Sequence, residues 1–209
     1  MANVATPDPG AYWDRVYATR APDEVSWFQR DPRLSLSMIE AAGAGPDEPV
    51  IDIGGGVSTL VDALLAAGHR AVTVLDISDK ALAAARTRLG ARAERVTWIV
   101  ADVTRWRPDA SYAVWHDRAA FHFLTDAGDR TAYLAALRAA LRPGGAAIIA
   151  AFAADGPERC SGLPVRRYSP DMLAGEIGPE FLLIETADED HVTPAGVRQH
   201  FMFCRFRRD

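Results

Sequence analysis

A glycine-rich turn between two apolar segments, with an acidic residue ending the second, carries the clearest chemical meaning in this chain. The segment VIDIGGGVSTL (residues 50–60) predicts a buried strand, a turn and the start of a helix, and the next apolar segment ends at Asp76. Glycines let a ligand approach the backbone closely, and an acid at a strand end can accept hydrogen bonds from ribose hydroxyls. The pattern therefore predicts a nucleotide-shaped pocket around Gly54, Gly56 and Asp76.

This turn lacks the third glycine of dinucleotide-binding turns, which restricts the nucleotides that it could bind. Dinucleotide-binding turns follow G-x-G-x-x-G, whose third glycine lets the helix pack closely over a pyrophosphate. Gly54 and Gly56 supply the first two positions, but Thr59 occupies the third. The sequence also lacks the G-x-x-x-x-G-K-[ST] pattern of a phosphate-binding loop. Two interpretations stay open, namely a pocket for a phosphate-free nucleoside and a turn that is only a tight connection.

The segment WHDRAAFHFL (residues 115–124) is the candidate reacting end of the pocket. Ligand crevices in open α/β sheets lie at the carboxyl ends of the strands, and this segment follows the fourth predicted strand. His122 is the best candidate for a general base, because imidazole titrates near neutrality. Arg118 could bind an anionic acceptor or lower the pKa of a thiol, and Asp117 completes the predicted catalytic group. The alternatives are a packed histidine and an Arg118–Asp117 ion pair that braces the turn.

Alternating strand and helix patterns place these segments in an α/β domain. The predicted strands are 50–53, 71–76, 96–101, 112–116 and 146–152, and the intervening predicted helices are 57–67, 78–89 and 131–141. Such alternation is typical of parallel strands joined by crossover helices. Toward the end, a predicted helix at 170–177 precedes two strands, 181–188 and 199–207, with only a loop between them. Strands joined in this way pair antiparallel.

The sequence therefore predicts an α/β fold with a Rossmann-like seven-stranded sheet, mostly parallel, ending in a C-terminal antiparallel hairpin, with helices on both faces. We expect one domain over residues 1–209. Within it, residues 1–45 form an N-terminal helical cover, with predicted helices at 11–19 and from Pro32 to about residue 42, and residues 46–209 form the core.

Taken together, these elements resemble the class I S-adenosylmethionine-dependent methyltransferases. Their motif I, D-x-G-x-G-x-[GS], matches Asp52, Gly54, Gly56 and Ser58. Their L-x-P-G-G turn before the fifth strand matches residues 141–145. The resemblance implies S-adenosyl-L-methionine as the cofactor and S-adenosyl-L-homocysteine as its product, and it extends from about residue 12 to residue 207.

The same resemblance assigns the cofactor-binding residues. Asp76 matches the acid that binds both ribose hydroxyls, and Asp102 matches the acid that contacts the adenine amino group. Ile77 and Val103 are then the apolar flanks of the adenine slot. Asp52 has two open roles: contact with the donor, through water or its methionine ammonium, and support of the glycine turn as a buried acceptor.

One branch of the family is loosely similar at two further segments. WHDRA (residues 115–119) is similar to the W-D-R-G segment of the thiopurine and tellurite-resistance type methyltransferases, with His116 inserted and alanine in place of glycine. The segment SWFQ (residues 26–29) also fits that branch, in which such segments form an aromatic cover over the methyl donor. This similarity adds His116 and Trp27 to the predicted cofactor-binding residues.

Composition limits the partners that we expect. The 209 residues carry a formal charge of -5, which argues against a nucleic-acid partner because such partners require a basic face. Two cysteines, Cys160 and Cys204, fit a reducing compartment, and the sequence shows neither a secretory signal nor an apolar stretch near the ~20 residues that span a bilayer. We therefore expect a cytoplasmic protein without a membrane partner. Neither His191 nor His200 has metal-ligand spacing, so no metal site is predicted.

The leading functional hypothesis is methyl transfer to a small-molecule acceptor by in-line displacement, with a sulfur nucleophile as the first acceptor to test. A thiol, with a pKa of roughly 8.5, needs less help from a base than a lysine near 10.4. One alternative is a protein-lysine methyltransferase; such enzymes often carry Asp-Lys-Gly where this chain has Asp117, Arg118 and Ala119. A second alternative is a non-catalytic cofactor-binding subunit. A nicotinamide reductase is disfavoured by Thr59 and by the terminal hairpin.

Overall fold

The computed structural model describes residues 8–209 and shows the helices and strands of an α/β domain. The helices are α1 (Pro9–Thr19), α2 (Arg33–Ala41), α3 (Leu60–Ala66), α4 (Asp79–Leu89), α5 (Ala127–Ala140) and α6 (Pro170–Ile177). The strands are β1 (Val50–Ile53), β2 (Val72–Asp76), β3 (Val96–Val100), β4 (Tyr112–Arg118), β5 (Leu141–Phe152), β6 (Arg159–Cys160), β7 (Leu163–Pro164), β8 (Phe181–Val192) and β9 (Arg198–Arg208). Two short 3-10 helices, Gly90–Arg95 and Phe121–Phe123, complete the secondary structure. Residues 1–7, where the sequence has no signal-peptide pattern, lie outside the described residues.

Seven strands form one sheet in the order β3-β2-β1-β4-β5-β9-β8. Strands β1 to β5 pair in parallel. Along the chain, each of the first four is joined to the following strand by a crossover connection, which parallel pairing requires. Strands β8 and β9 are joined only by a loop, and they pair antiparallel with each other while β9 also pairs antiparallel with β5. The predicted mostly parallel sheet with a C-terminal antiparallel hairpin is confirmed.

Apolar helix faces pack on both sides of this sheet. On one side, α5 and α6 bury Tyr133, Leu137 and Leu173 in a cluster with the sheet. On the other side, α2 and α3 bury Met38 and Leu64 in a second cluster. The sheet is therefore the middle layer of three, as predicted. Within residues 8–209, none of the helices has the length and apolar character that a membrane crossing requires.

Several element boundaries differ from those that the sequence predicts. Helix α3 begins at Leu60 instead of residue 57, because the Ser58 hydroxyl accepts a hydrogen bond from the Leu60 amide and ends the turn there. Helix α5 begins earlier than predicted, where the Asp126 side chain caps the Gly128 amide. Helix α2 begins at Arg33, one residue later than predicted, and Pro32 is its N-cap.

Both strands that enter the candidate site are longer than predicted. Strand β4 continues beyond residue 116 to Arg118, so that two charged residues lie within the ladder. Strand β8 continues beyond residue 188 to Val192 although it carries several acids. An edge strand tolerates such charges because one side of it faces solvent.

Candidate functional site

The glycine turn after β1 brings the backbone against two neighbouring elements. Gly54 has φ 65° and Gly56 has φ 42°, both in the left-handed region that glycine adopts without strain. A Cβ added to Gly54 would lie 2.7 Å from Cβ of Ala120, and one added to Gly56 would lie 3.0 Å from Oδ2 of Asp76. The turn therefore packs against two elements, the residues after β4 and Asp76 at the end of β2. A side chain at Gly54 would push the turn away from the first, and one at Gly56 would push it away from the second.

Asp76 ends β2 with its carboxylate buried beside the glycine turn. Its Oδ1 accepts a 2.8 Å hydrogen bond from the Ser78 amide. Burial raises the pKa of Asp76 to about 7, opposed by the amides of Ser78 and Gly56 and assisted by the negative charge of Asp52. A ligand that donates hydrogen bonds to this carboxylate would favour its ionised form.

Asp102 follows β3 at the same edge of the sheet. The Ala101 amide donates to the Asp76 carbonyl over 3.0 Å, so the ends of β2 and β3 lie side by side. Asp102 is only partly buried; its Oδ1 accepts from the Thr104 amide and hydroxyl, and its Oδ2 lies 3.8 Å from the exposed Arg105. The structure thus brings the two acids to one rim. The residues directly after them, Ile77 and Val103, are both partly buried.

Asp52 and His116 form a buried pair in the strands that flank the turn. They are register partners in the β1–β4 ladder, and Asp52 Oδ1 lies 2.7 Å from His116 Nδ1. Both residues are at most 3% exposed. The other ring nitrogen, His116 Nε2, has no hydrogen-bond partner among residues 8–209. Both side chains line a small cavity at the turn.

The Asp117 side chain projects from the face of the sheet opposite to that of His116 and is buried in the core. Its carboxylate accepts hydrogen bonds from the amides of Ala120 and Phe121 and from the Tyr133 hydroxyl, which in turn accepts from the Trp115 indole. Burial raises the pKa of Asp117 to about 6, with these donors opposing the rise. The two amides belong to the turn after β4 and Tyr133 belongs to α5, so Asp117 links that turn to α5, and it does not line the cavity.

Arg118, at the end of β4, reaches across the cavity to the edge of the sheet. Its Nη1 donates to the Trp27 carbonyl over 3.1 Å, and its Nη2 lies 3.3 Å from Oε2 of Glu189 on β8. The guanidinium also lies 4.4 Å from the ring centroid of Phe201. Burial lowers the pKa of Arg118, and Glu189 opposes that shift. The ion pair therefore joins Arg118 to Glu189, whereas the Arg118–Asp117 alternative is not formed.

His122 is enclosed by aromatic rings. It is 0% exposed, its ring centroid lies 4.6 Å from that of Phe123 and 4.7 Å from that of Phe152, and neither ring nitrogen has a partner among the described residues. Burial, with the charge of Arg118, lowers the pKa of His122 to about 3. This placement argues against the predicted role of His122 as a base, because a ring with so low a pKa accepts a proton poorly and because His122 does not line the cavity.

The turn after β4 also holds a strained residue. Ala119 has φ 72°, a conformation that side-chain-bearing residues rarely adopt. This is the position of glycine in the similar W-D-R-G segment, so the backbone shape is kept although the residue differs. Its neighbour Ala120 then faces Gly54 across the turn.

Segment 26–29 covers the glycine turn and is held in place by hydrogen bonds along its length. The His191 ring contacts the Ser26 carbonyl at 2.7 Å, the Thr59 hydroxyl donates to the Gln29 carbonyl at 2.8 Å, and the Gln29 amide donates to Glu189 at 2.8 Å. Sequence patterns did not identify Glu189 or His191, since both lie on β8, far along the chain from the cover.

Helix α1 extends this cover over the end of β2. Asp14 accepts a 2.6 Å hydrogen bond from the Ser78 hydroxyl, and the Tyr17 hydroxyl lies 3.1 Å from where a Gly56 Cβ would stand. The cover and the turn enclose a cavity of about 40 Å³. Its lining residues are Trp27, Phe28, Gln29, Asp52, Gly54, Gly55, Val57, Ser58, His116 and Arg118.

The residues at this rim fit a phosphate-free adenosine derivative. Asp76 offers a buried carboxylate beside a bare backbone turn, and Asp102 offers a second one at the adjoining strand end. Helix α3 begins only at Leu60, beyond the turn. Its N-terminus is therefore not placed to bind a pyrophosphate as the first helix of a dinucleotide-binding fold does.

Comparison with known proteins agrees with this geometry. Residues 50–145 match the model of a methyltransferase domain. Among curated proteins, the chain is 27% identical over 122 residues to the eEF1A lysine and N-terminal methyltransferase of Bos taurus, a match that covers 57% of this chain and 17% of that protein. The chain therefore spans well under half the length of that relative.

Two solved structures share the fold over nearly the whole chain. One comes from a study of the conversion of a disulfide bond into a thioacetal group during echinomycin biosynthesis, with a TM-score of 0.75, 22% identity and coverage of 96% of this chain and 91% of that chain. The other is the 1,6-didemethyltoxoflavin-N1-methyltransferase of Burkholderia thailandensis with S-adenosylhomocysteine bound, with a TM-score of 0.68, 22% identity and coverage of 95% and 83%. We conclude that residues 50–145 form a methyltransferase domain and that the chain has the Rossmann-like fold of methyltransferases such as the 1,6-didemethyltoxoflavin-N1-methyltransferase.

Proposed function

We propose that this enzyme methylates a small-molecule acceptor and that a sulfur nucleophile is the acceptor to test first. The observation that carries the proposal is the enclosure of the reacting end. Segment 26–29 closes over it, and Glu189 on the edge strand holds that segment through Gln29 and Arg118. An enclosed site suits a small acceptor because it excludes water and orients the nucleophile, which are the main requirements of an in-line displacement.

We propose the following roles at the donor end of the site. Asp76 accepts hydrogen bonds from the ribose hydroxyls and Asp102 from the adenine amino group, while Ile77 and Val103 flank the adenine. Gly54, Gly56 and Ser58 let the backbone approach the donor. When bound there, S-adenosylmethionine supplies a methyl group on a positively charged sulfur. We further propose that the chain works as one domain, with residues up to 45 as its cover.

Arg118 favours an anionic or thiolate acceptor over a cationic one. Arg118 lines the cavity, whereas Glu189, which pairs with it, does not. In a buried site a nearby positive charge lowers the pKa of a thiol and disfavours an ammonium. The fold neighbours are consistent with small acceptors, since one concerns sulfur chemistry of a natural product and another N-methylation of 1,6-didemethyltoxoflavin.

Protein-lysine methylation is the second candidate, because the Bos taurus relative carries that activity in its name. One experiment separates the two. The enzyme is incubated with a methyl-labelled donor and either a panel of alkyl and aromatic thiols or a cell lysate, with Asp76→Ala as the inactive control. We expect labelled thioethers from the panel and no labelled protein bands. Label confined to protein bands would overturn the proposal, and donor binding without any turnover would indicate the non-catalytic alternative.

The two cysteines support a cytoplasmic location for this chemistry. Cys160 and Cys204 are both buried and unpaired. Free cysteines are typical of proteins in reducing compartments. We therefore propose the cytoplasm as the site of action.

A further inference from the structure

The buried Asp52–His116 pair leaves one basic nitrogen unused. Asp52 Oδ1 contacts His116 Nδ1 at 2.7 Å, and His116 Nε2 has no partner among the described residues although His116 is 2% exposed. A buried polar atom without a partner is costly, so it calls for a functional explanation. Because His116 lines the cavity at the glycine turn, a ligand in that cavity is the available partner.

The surroundings of His116 suit a proton acceptor. A carboxylate on Nδ1 fixes the tautomer, keeps the lone pair on Nε2 and stabilises the ring once it is protonated. The other charged groups around the Asp52–His116 pair are Arg118 on β4, which is paired with Glu189 of β8, Asp117 on the opposite side of β4, and Asp76 of β2.

We propose that His116 is the general base of the methyl transfer and that Asp52 is its positioning residue. This inference rests on the proposed function. His116 Nε2 takes the proton of the acceptor X–H, and the electron pair of X forms the new bond to the methyl carbon. The electron pair of the broken carbon–sulfur bond stays on the donor sulfur, and the imidazolium later releases its proton to water.

A base matters only for an acceptor that still holds its proton, and this provides the test. The probes are 2-mercaptoethanol, which is mostly protonated at neutral pH, and 4-nitrothiophenol, which is mostly ionised. His116→Asn should lower kcat at least about 100-fold for 2-mercaptoethanol, on the scale of general-base catalysis, and less than about fivefold for 4-nitrothiophenol. It should also flatten the pH profile of kcat with the alkyl thiol.

His200 provides a matched control. It forms a similar pair with Asp155, with a 2.6 Å contact from Nδ1 to Oδ1, but that pair is exposed and does not line the cavity. His200→Asn should leave both thiol reactions within about twofold of wild type, since a surface pair contributes little. Equal losses with both thiols in His116→Asn, together with weaker S-adenosylhomocysteine binding, would overturn the proposal and make His116 a donor-binding residue.

A second readout does not depend on turnover. Nitrogen-15 NMR of the labelled histidines, without any acceptor, reports which ring nitrogen carries the proton. We expect the His116 proton on Nδ1 in the wild type and a shift toward Nε2 in Asp52→Asn. A proton on Nε2 in the wild type would overturn the assignment of His116 as the base and of Asp52 as its positioning residue. If the wild type methylates neither thiol, the sulfur acceptor fails as a proposed function, and the NMR result still decides the role of the pair.

Discussion

Arg118 and Glu189 connect the end of β4 to the edge strand β8, with Nη2 and Oε2 3.3 Å apart and the two side chains 10% and 20% exposed. Breaking this partly buried pair leaves the Arg118 charge without its partner. We expect Glu189→Gln to destabilise the fold by about 1–3 kcal/mol in chemical denaturation. It should also speed proteolytic cleavage within segment 26–29, because Gln29 then donates to a neutral amide oxygen in place of the carboxylate.

Glu185 on the same strand provides the control for this variant. It pairs with Arg205 across the β8–β9 ladder, but Glu185 is 42% exposed. Glu185→Gln should change the unfolding free energy by no more than about 0.5 kcal/mol. Equal effects of the two substitutions would show that the Arg118 pair does not hold the cover.

His122 should be dispensable for chemistry and unfavourable for stability. His122→Leu removes two buried nitrogens that lack partners, so we expect a gain of about 1–3 kcal/mol at pH 8. The pKa of His122 is about 3 in the folded state and 6.5 in the unfolded chain, so the wild type loses stability as the pH falls below 6.5. The advantage of the variant should therefore grow by roughly 2 kcal/mol at pH 5.

The same variant distinguishes the two candidate bases. We expect His122→Leu to keep kcat with 2-mercaptoethanol within a few-fold of wild type, in contrast to His116→Asn. Loss of turnover in a well-folded His122→Leu protein would restore His122 as the base.

Ala119 occupies a backbone conformation that favours glycine, with φ 72°. Relief of this strain, of roughly 1–2 kcal/mol, should offset the greater flexibility that glycine gives the unfolded chain. We expect Ala119→Gly to be neutral or to stabilise by up to about 1 kcal/mol in thermal unfolding. Ala83→Gly, at an exposed position inside α4, is the control and should cost about 1 kcal/mol. Similar losses from both would contradict the strain at Ala119.

Local sequence signals predict the sheet and its turns well. Strand β1 and helix α6 have the predicted bounds, and the absence of a helix between β8 and β9 predicts their antiparallel pairing. Asp76 and Asp102 lie at one rim because parallel strands end at the same edge of a sheet. These features depend on the order of elements, which the sequence displays directly.

Partners that lie far apart in sequence could not be predicted in the same way. His116 meets Asp52 across 64 positions, and Arg118 meets Glu189 across 71. The predicted strand ends at residue 116, yet Asp117 is buried within β4, where the Tyr133 hydroxyl donates a hydrogen bond to it. Neighbouring residues on a strand face opposite sides, so this longer β4 separates Asp117 from the cavity that His116 lines.

The pKa of Asp76 gives the most direct test of the donor site. With a pKa of about 7, the carboxylate is mostly ionised at pH 8 and about one-tenth ionised at pH 6. Calorimetric titration with S-adenosylhomocysteine should therefore show about tenfold weaker binding at pH 6 than at pH 8, and Asp76→Asn should bind weakly at both. Tight binding of Asp76→Asn, or wild-type affinity that does not change between the two pH values, would contradict the assignment of Asp76 to the ribose.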